Sequence, residues 1–107
     1  MHFFWPTTMG KIAVDLQEGF SNDAVEIVIN GKLIYSEKSI SSDNSIGLAD
    51  LIQAETKDDT IWLEVFLPQK QMKNIILLNV NATPYIGVKF SETAIVFTSS
   101  TESFSYF

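Results

Sequence analysis

The sequence predicts an all-β fold: an antiparallel β-sandwich of seven or eight strands in a single domain. Hydrophobic and polar residues alternate along most of the chain, which is the period of a β-strand with one buried face. The alternating segments are short and regularly spaced, and turn residues separate them. No long helical pattern and no internal repeat interrupts this rhythm. A small β-barrel is the alternative architecture, because barrels show the same pattern.

The first half of the chain contains the clearest turn signal. KIAVDL, residues 11–16, alternates in hydrophobicity and is followed by the turn segment EGFSND. The next strand, 24–29, ends at Asn30-Gly31, a dipeptide that accommodates the positive φ angles of a two-residue type I′ hairpin. The chain then returns as a strand over 32–36. The pairs expected across this hairpin are Ile27 with Ile34, Val28 with Leu33, and Glu26 with Tyr35.

The second half carries four further strands and opens with an ambiguous segment. The polar, serine-rich stretch 37–45 is the longest break in the pattern, and we expect it to cross between the sheets. IGLADLIQAE, residues 46–55, fits a short helix or a strand, and its short length and Gly47 favour the strand. Clean alternation then predicts strands over 60–67, 74–81, 83–90 and 94–100.

The ends of the chain are expected to differ from its centre. Residues 1–10 are interpreted as an N-terminal extension, 11–100 as the sandwich domain, and 101–107 as an aromatic tail that packs on the domain. The apolar stretch 3–5 is broken by Pro6 and is too short for a signal-peptide core or a membrane span. We therefore expect a cytoplasmic protein. The extension either precedes the folded unit or docks its aromatic residues on a neighbouring surface.

Composition argues against several classes of function. The net charge is −6, and all seven basic residues are scattered lysines, so nucleic acid and anionic membranes are poor partners. The chain has no cysteine, and its one histidine is His2, which argues against catalytic triads and thiolate or histidine metal sites. The five glycines stand singly and form no phosphate-binding loop. We expect a protein that is not an enzyme and carries no cofactor.

Several strands are apolar on both faces, although a strand of a sandwich needs only one apolar face. The second face needs a cover, which the chain's own ends, a second subunit or another protein could supply. We expect a homo-oligomer or a complex with a protein partner. The residues predicted to form this interface or ligand face are Val28, Leu33, Tyr35, Trp62, Glu64 and Phe66.

A carbohydrate-binding module is the first alternative. Trp62, Glu64 and Phe66 alternate on one strand face, and the hairpin register places Tyr35 opposite Glu26. Aromatic rings beside polar groups are typical of a flat sugar-binding surface. They are equally typical of a sheet face that packs against another chain.

A calcium-dependent binding domain is the second alternative. Its weak candidate ligands are Asp43, Asp58 and Asp59, which lie in segments predicted to be loops. The chain has no Asp-x-Asp-x-Asp-Gly pattern, and the segments KDDT and SDNS are also ordinary turn sequences. The expected state is therefore one without metal.

Four segments, VDLQEGF, VEIVINGKLIY, GLADLI and PYIGVKF, spread over most of residues 11–90. In their rhythm the chain resembles small bacterial β-sandwich proteins that have no assigned function. The resemblance implies the fold alone, and it assigns no functional residue.

Overall fold

The computed structural model describes residues 10–106. The predicted extension lies outside the described residues, apart from Gly10, which is the first residue of β1. Within 10–106 the chain forms eight strands and one 3₁₀ turn, Pro68–Lys70. The strands are β1 (Gly10–Leu16), β2 (Asp23–Ile29), β3 (Lys32–Ile40), β4 (Asp50–Thr56), β5 (Thr60–Leu67), β6 (Met72–Asn79), β7 (Tyr85–Ser91) and β8 (Ala94–Ser100).

The strands form two four-stranded sheets, and this confirms the predicted sandwich. Sheet 1 has the order β4-β1-β7-β8, and sheet 2 has the order β3-β2-β5-β6. Five of the six strand pairings are antiparallel. The pairing of β1 with β7 is parallel, and it joins the two ends of the domain in one sheet. Local alternation does not predict such a pairing, because it depends on residues far apart in sequence.

The core lies between the sheets and follows the predicted alternation. On β5, every second residue from Ile61 to Leu67 is buried, while Trp62 between them is half exposed. Residues facing each other across the strands share a face, so the inward positions of neighbouring strands meet in one apolar layer. The buried hydrophobic residues are Ile12, Val14, Leu16, Phe20, Val25, Ile27, Ile29, Ile61, Leu63, Val65, Leu67, Leu78, Val80, Ile86, Val88 and Ile95.

The β2–β3 hairpin has the predicted turn but a different register. Asn30 and Gly31 adopt φ angles of 48° and 81°, as a two-residue turn with positive φ requires. Val28 faces Leu33 as predicted, but Ile27 faces Tyr35, because the ladder shifts by one residue at Ile34. The predicted Ile27–Ile34 and Glu26–Tyr35 pairs are therefore wrong. An extra residue at a β-bulge reverses the faces of the residues that follow it.

The bulge turns Tyr35 toward the core. Its cross-strand partner Ile27 is fully buried, and the Tyr35 hydroxyl donates a hydrogen bond of 2.7 Å to Asp50 Oδ2 on β4 of the opposite sheet. Burial, together with this hydrogen bond, raises the pKa of the Tyr35 phenol. Tyr35 thus links the two sheets along the side where β3 and β4 lie.

The ambiguous segment 46–55 is a strand only in its second part. Gly47 has a φ of 73°, and its N–H donates to the carbonyl oxygen of Asp43 at 2.7 Å, which closes a tight turn. A bridge between Asp43 and Leu48 completes this turn, and β4 begins at Asp50. The predicted strand is confirmed, with a later start than the pattern indicated.

The last described residues lie over the outer face of sheet 1. The Tyr106 hydroxyl donates to Asp15 Oδ2 at 2.5 Å and accepts from Gln17 Nε2 at 2.9 Å. Asp15 and Gln17 are buried, although both project from the outward side of β1 or just beyond its end. A cavity of about 230 Å³ is lined by Phe104 and Tyr106 together with Leu51 and other outward residues of sheet 1.

The Tyr106 hydrogen bonds give the protein a predicted sensitivity to alkaline pH. Burial, then the hydrogen bond to Asp15, raises the pKa of the Tyr106 phenol to about 12, from 10.0 for the free group. Because folding raises this pKa, the protonated phenol contributes its full share of the free energy of unfolding below pH 10. This contribution is lost as the pH rises from 10 to about 12. We expect Tyr106→Phe to cost about 1 kcal/mol at pH 8. The loss should shrink above pH 10.

Urea unfolding of both proteins at pH 8 to 11.5, followed by far-ultraviolet circular dichroism, measures this difference. Tyr35 is present in both chains, so its own titration cancels in the comparison. Stability curves that stay parallel over the whole range would contradict the assignment to Tyr106.

Candidate functional site

The outward surface of sheet 2 is more apolar than a solvated sheet surface usually is. We call this surface the outer face of sheet 2. Its rows follow from the strand register: Leu33 faces Val28, Val28 faces Glu64, and Glu64 faces Ile75. In the rows on either side, Trp62 faces Leu77, and Phe66 lies between Glu26 and Lys73. The residues that define the face are Val28, Leu33, Trp62, Glu64, Phe66, Ile75 and Leu77.

Large apolar side chains are unusually exposed on this face. Leu33, Trp62, Ile75 and Leu77 are each between 50% and 52% exposed. Seven large hydrophobic residues in the described part of the chain are exposed, and these four are the majority of them. Single exposed apolar residues are normal on soluble proteins, but adjacent ones on neighbouring strands form a continuous patch. Such a patch is typical of an interaction surface.

The hairpin turn holds Trp62 in place through the backbone. The Trp62 N–H donates to Asn30 Oδ1 at 2.8 Å, and the Asn30 N–H donates to the Trp62 carbonyl oxygen at 3.0 Å. The Asn30 side-chain amide also donates to Asp58 Oδ2 at 3.0 Å. Asn30 thus forms part of the hairpin turn and also fixes the position of β5 beside it. The Trp62 indole therefore projects from a rigid strand.

Charge on the outer face is sparse and lies beside the apolar residues. Glu64 Oε1 is 3.9 Å from Lys73 Nζ, and the two side chains are 28% and 67% exposed. An exposed ion pair of this kind contributes at most about 1 kcal/mol. A partner that covers the face therefore meets a carboxylate and an ammonium group side by side, and their desolvation counts against binding.

Five of the six residues predicted for the interface share this face, and Tyr35 does not. The bulge at Ile34 places Tyr35 on the inward side, as described above. Ile75 and Leu77 belong to the face but were not included in the predicted site. Their signal was present in the sequence, since IILL in β6 is apolar on both faces.

The three weak calcium candidates serve local structure. The hydroxyl and backbone N–H of Ser45 donate to Asp43, and these bonds hold the pKa of the Asp43 carboxyl below its usual value. Asp58 accepts from Asn30, and Asp59 accepts from the Asn81 amide at 3.3 Å. Within residues 10–106, no three acidic or histidine side chains gather into a group that could hold a metal ion.

Sheet 1 offers a different kind of surface. A cavity of about 520 Å³ lies near its β1–β4 side, lined by Lys11, Gln53, Glu55 and Tyr85 among others. Lys11 and Glu55 are cross-strand neighbours of opposite charge. The cavity therefore combines charges of both signs with apolar residues, whereas the outer face of sheet 2 is a broad and mainly apolar surface.

Two further observations bear on the class of protein. In the part of the chain that the structure describes, no helix is long and apolar enough to cross a membrane. Comparisons with protein-family models, with curated proteins and with solved structures find no match to this chain.

Proposed function

We propose that this protein is a non-catalytic binding module that buries the outer face of sheet 2 against a protein surface, either a second copy of the chain or another protein. The observation that carries the proposal is the patch of half-exposed apolar side chains on β3, β5 and β6, with the partly buried Val28 of β2 lying beside Leu33. Trp62 is the largest of the exposed side chains on the face and is the expected anchor of the contact. Tryptophan is enriched among the residues that dominate binding energy in interfaces.

The rigidity of the face supports this function. Its side chains stand on paired strands, and the backbone of Trp62 is bonded to Asn30 on both its donor and acceptor groups. A preformed surface loses little conformational entropy when it binds. The outer face is therefore suited to association without a folding step.

Site-specific photo-crosslinking tests the proposal. A benzophenone amino acid replaces Trp62 in one variant and Val96 in a matched control. Val96 is also an exposed apolar strand residue, at 42%, but it lies on the outer face of sheet 1. We expect position 62 to give a discrete protein adduct in cells of the native host at least several-fold more strongly than position 96. Mass spectrometry then identifies the adduct as the same chain or another protein.

Equal adducts from both positions, or none from position 62, would contradict protein binding at this face. Thermal unfolding of each variant before irradiation shows whether the substituted chain is folded.

Carbohydrate binding is the second candidate, since Trp62, Glu64 and Phe66 do lie together on an exposed face. The loss of Tyr35 from this surface removes one of the three aromatic rings predicted for it. A sugar that binds the face should change the tryptophan emission of the wild-type chain and leave a Trp62→Phe variant unchanged. No change across a broad panel of sugars would count against this candidate.

A further inference from the structure

The two edges of sheet 2 are built differently. β3 carries Lys32, Glu37 and Lys38, and charged residues on an edge strand discourage pairing with another chain. β6, at the opposite edge, carries the uncharged apolar run 75–78, and its one charged residue is Lys73. A long apolar edge of this kind is open to the addition of a strand.

The backbone of β6 shows which groups face away from the sheet. The Ile75 N–H donates to the side-chain oxygen of Asn74 at 2.9 Å, so it points away from β5. The Asn74 amide donates to the Ile95 carbonyl oxygen of β8 at 2.9 Å, and this side chain must release the Ile75 N–H before another strand can pair there. In an antiparallel edge strand, alternate residues direct both the N–H and the carbonyl outward. Lys73 and Leu77 therefore share the outward direction of Ile75. Of the three, Ile75 and Leu77 also place half-exposed side chains on the outer face of sheet 2.

We infer that β6 pairs antiparallel with β6 of a second copy, which joins the two four-stranded sheets into one sheet of eight strands. The expected register places Ile75 opposite Leu77 of the other copy, with Ile76 on the two-fold axis. This inference goes beyond the proposed function, because it concerns the edge of sheet 2 and leaves the outer face free to bind a partner. Trp62 stays outside the strand pair, on a face that the dimer doubles in width.

The register follows from the residues that carry the outward backbone groups. Hydrogen-bonded pairs must match outward residues on both strands, so Ile75 can face Lys73, Ile75 or Leu77 of the other copy. The first two options place the Lys73 ammonium opposite an apolar residue, Ile75 or Leu77. The third option pairs Ile75 with Leu77 twice, and cross-strand apolar pairs stabilise a sheet.

Charge also favours this register. Lys73 lies opposite Asn79 of the second copy, at the end of β6 where Asn79 pairs with Thr60. Asp59 directly precedes Thr60, and the Val80 N–H donates to the Asp59 carbonyl oxygen at 2.9 Å, which holds the acidic loop at this end. The two-fold axis therefore brings a lysine toward an acidic loop twice. In a chain with a net charge of −6, copies repel each other over most of the surface.

Two leucines of equal exposure provide a matched test. Leu77 and Leu33 are each 52% exposed on the outer face, at opposite edges of sheet 2. We expect light scattering behind a sizing column to show a dimer whose dissociation constant rises at least tenfold in Leu77→Lys. Leu33→Lys should change the dissociation constant by no more than about twofold, because β3 lies at the edge of sheet 2 opposite β6. Circular dichroism verifies that both variants are folded.

Amide exchange of the wild-type chain gives a second measurement that needs no variant. In the β6 dimer, the outward N–H of Leu77 bonds to the second copy, so its hydrogen–deuterium exchange should slow as protein concentration rises. A monomer at all concentrations overturns the inference, as does a dimer whose Leu77 amide remains unprotected. Equal weakening by the two lysine variants also overturns it. The two proposals can fail separately. If the chain is a monomer and position 62 crosslinks to another protein, the β6 dimer is wrong and the proposed function still holds.

Discussion

Truncating Leu63 to alanine will destabilise the protein by about 2–5 kcal/mol, the usual cost for a buried leucine. Leu63 is fully buried at the centre of sheet 2, where it faces Ile29 on β2 and Ile76 on β6. Both neighbours are held by their own strand ladders. The space left by the lost carbons therefore cannot close easily, and the cavity adds to the lost transfer free energy.

The matched control is Leu33→Ala. Leu33 is 52% exposed on the outward side of the same sheet, so its truncation should change the free energy of unfolding by about 0.5 kcal/mol or less. Urea unfolding at low protein concentration measures both values in the monomer. Equal losses from the two substitutions would mean that the assignment of inner and outer faces in sheet 2 is wrong.

Replacing Gly19 by alanine will also destabilise the fold strongly, by about 2–4 kcal/mol. Gly19 has a φ of 97°, a conformation that costs free energy for any residue with a Cβ atom. A Cβ at this position would also lie 1.7 Å from the backbone carbonyl oxygen of Phe90. The close approach arises because the parallel pairing of β1 and β7 continues beyond β1, with the Phe90 N–H donating to the Glu18 carbonyl oxygen at 2.9 Å.

Gly31→Ala separates the two causes. Gly31 also has a positive φ, of 81°, but no heavy atom lies within 4 Å of an added Cβ. We expect it to cost about 1 kcal/mol from backbone strain alone. Thermal or urea unfolding of both variants compares them directly. A Gly19 variant no less stable than the Gly31 variant would show that the backbones of residues 19 and 90 are not in close contact.

Much of the outer face of sheet 2 could be predicted from the sequence. Val28 with Leu33 follows from the Asn30-Gly31 turn, because a two-residue hairpin sets the first pairs beyond it. Trp62, Glu64 and Phe66 follow from strict alternation on β5. Which strands lie side by side could not be predicted, since pairing between distant segments leaves no local trace. The inclusion of Ile75 and Leu77 depended on β6 lying next to β5.

By itself, the sequence determined the β-class of the fold, the position of the sharp hairpin turn and the inward residues of the regular strands. These properties depend on the two-residue period of a strand and on the φ angles that a local dipeptide tolerates. Only the tertiary structure decided the inward turn of Tyr35, the parallel pairing of β1 with β7, and the position of Tyr106 over sheet 1. Each of these joins residues whose contact free energy exists only once distant segments have met.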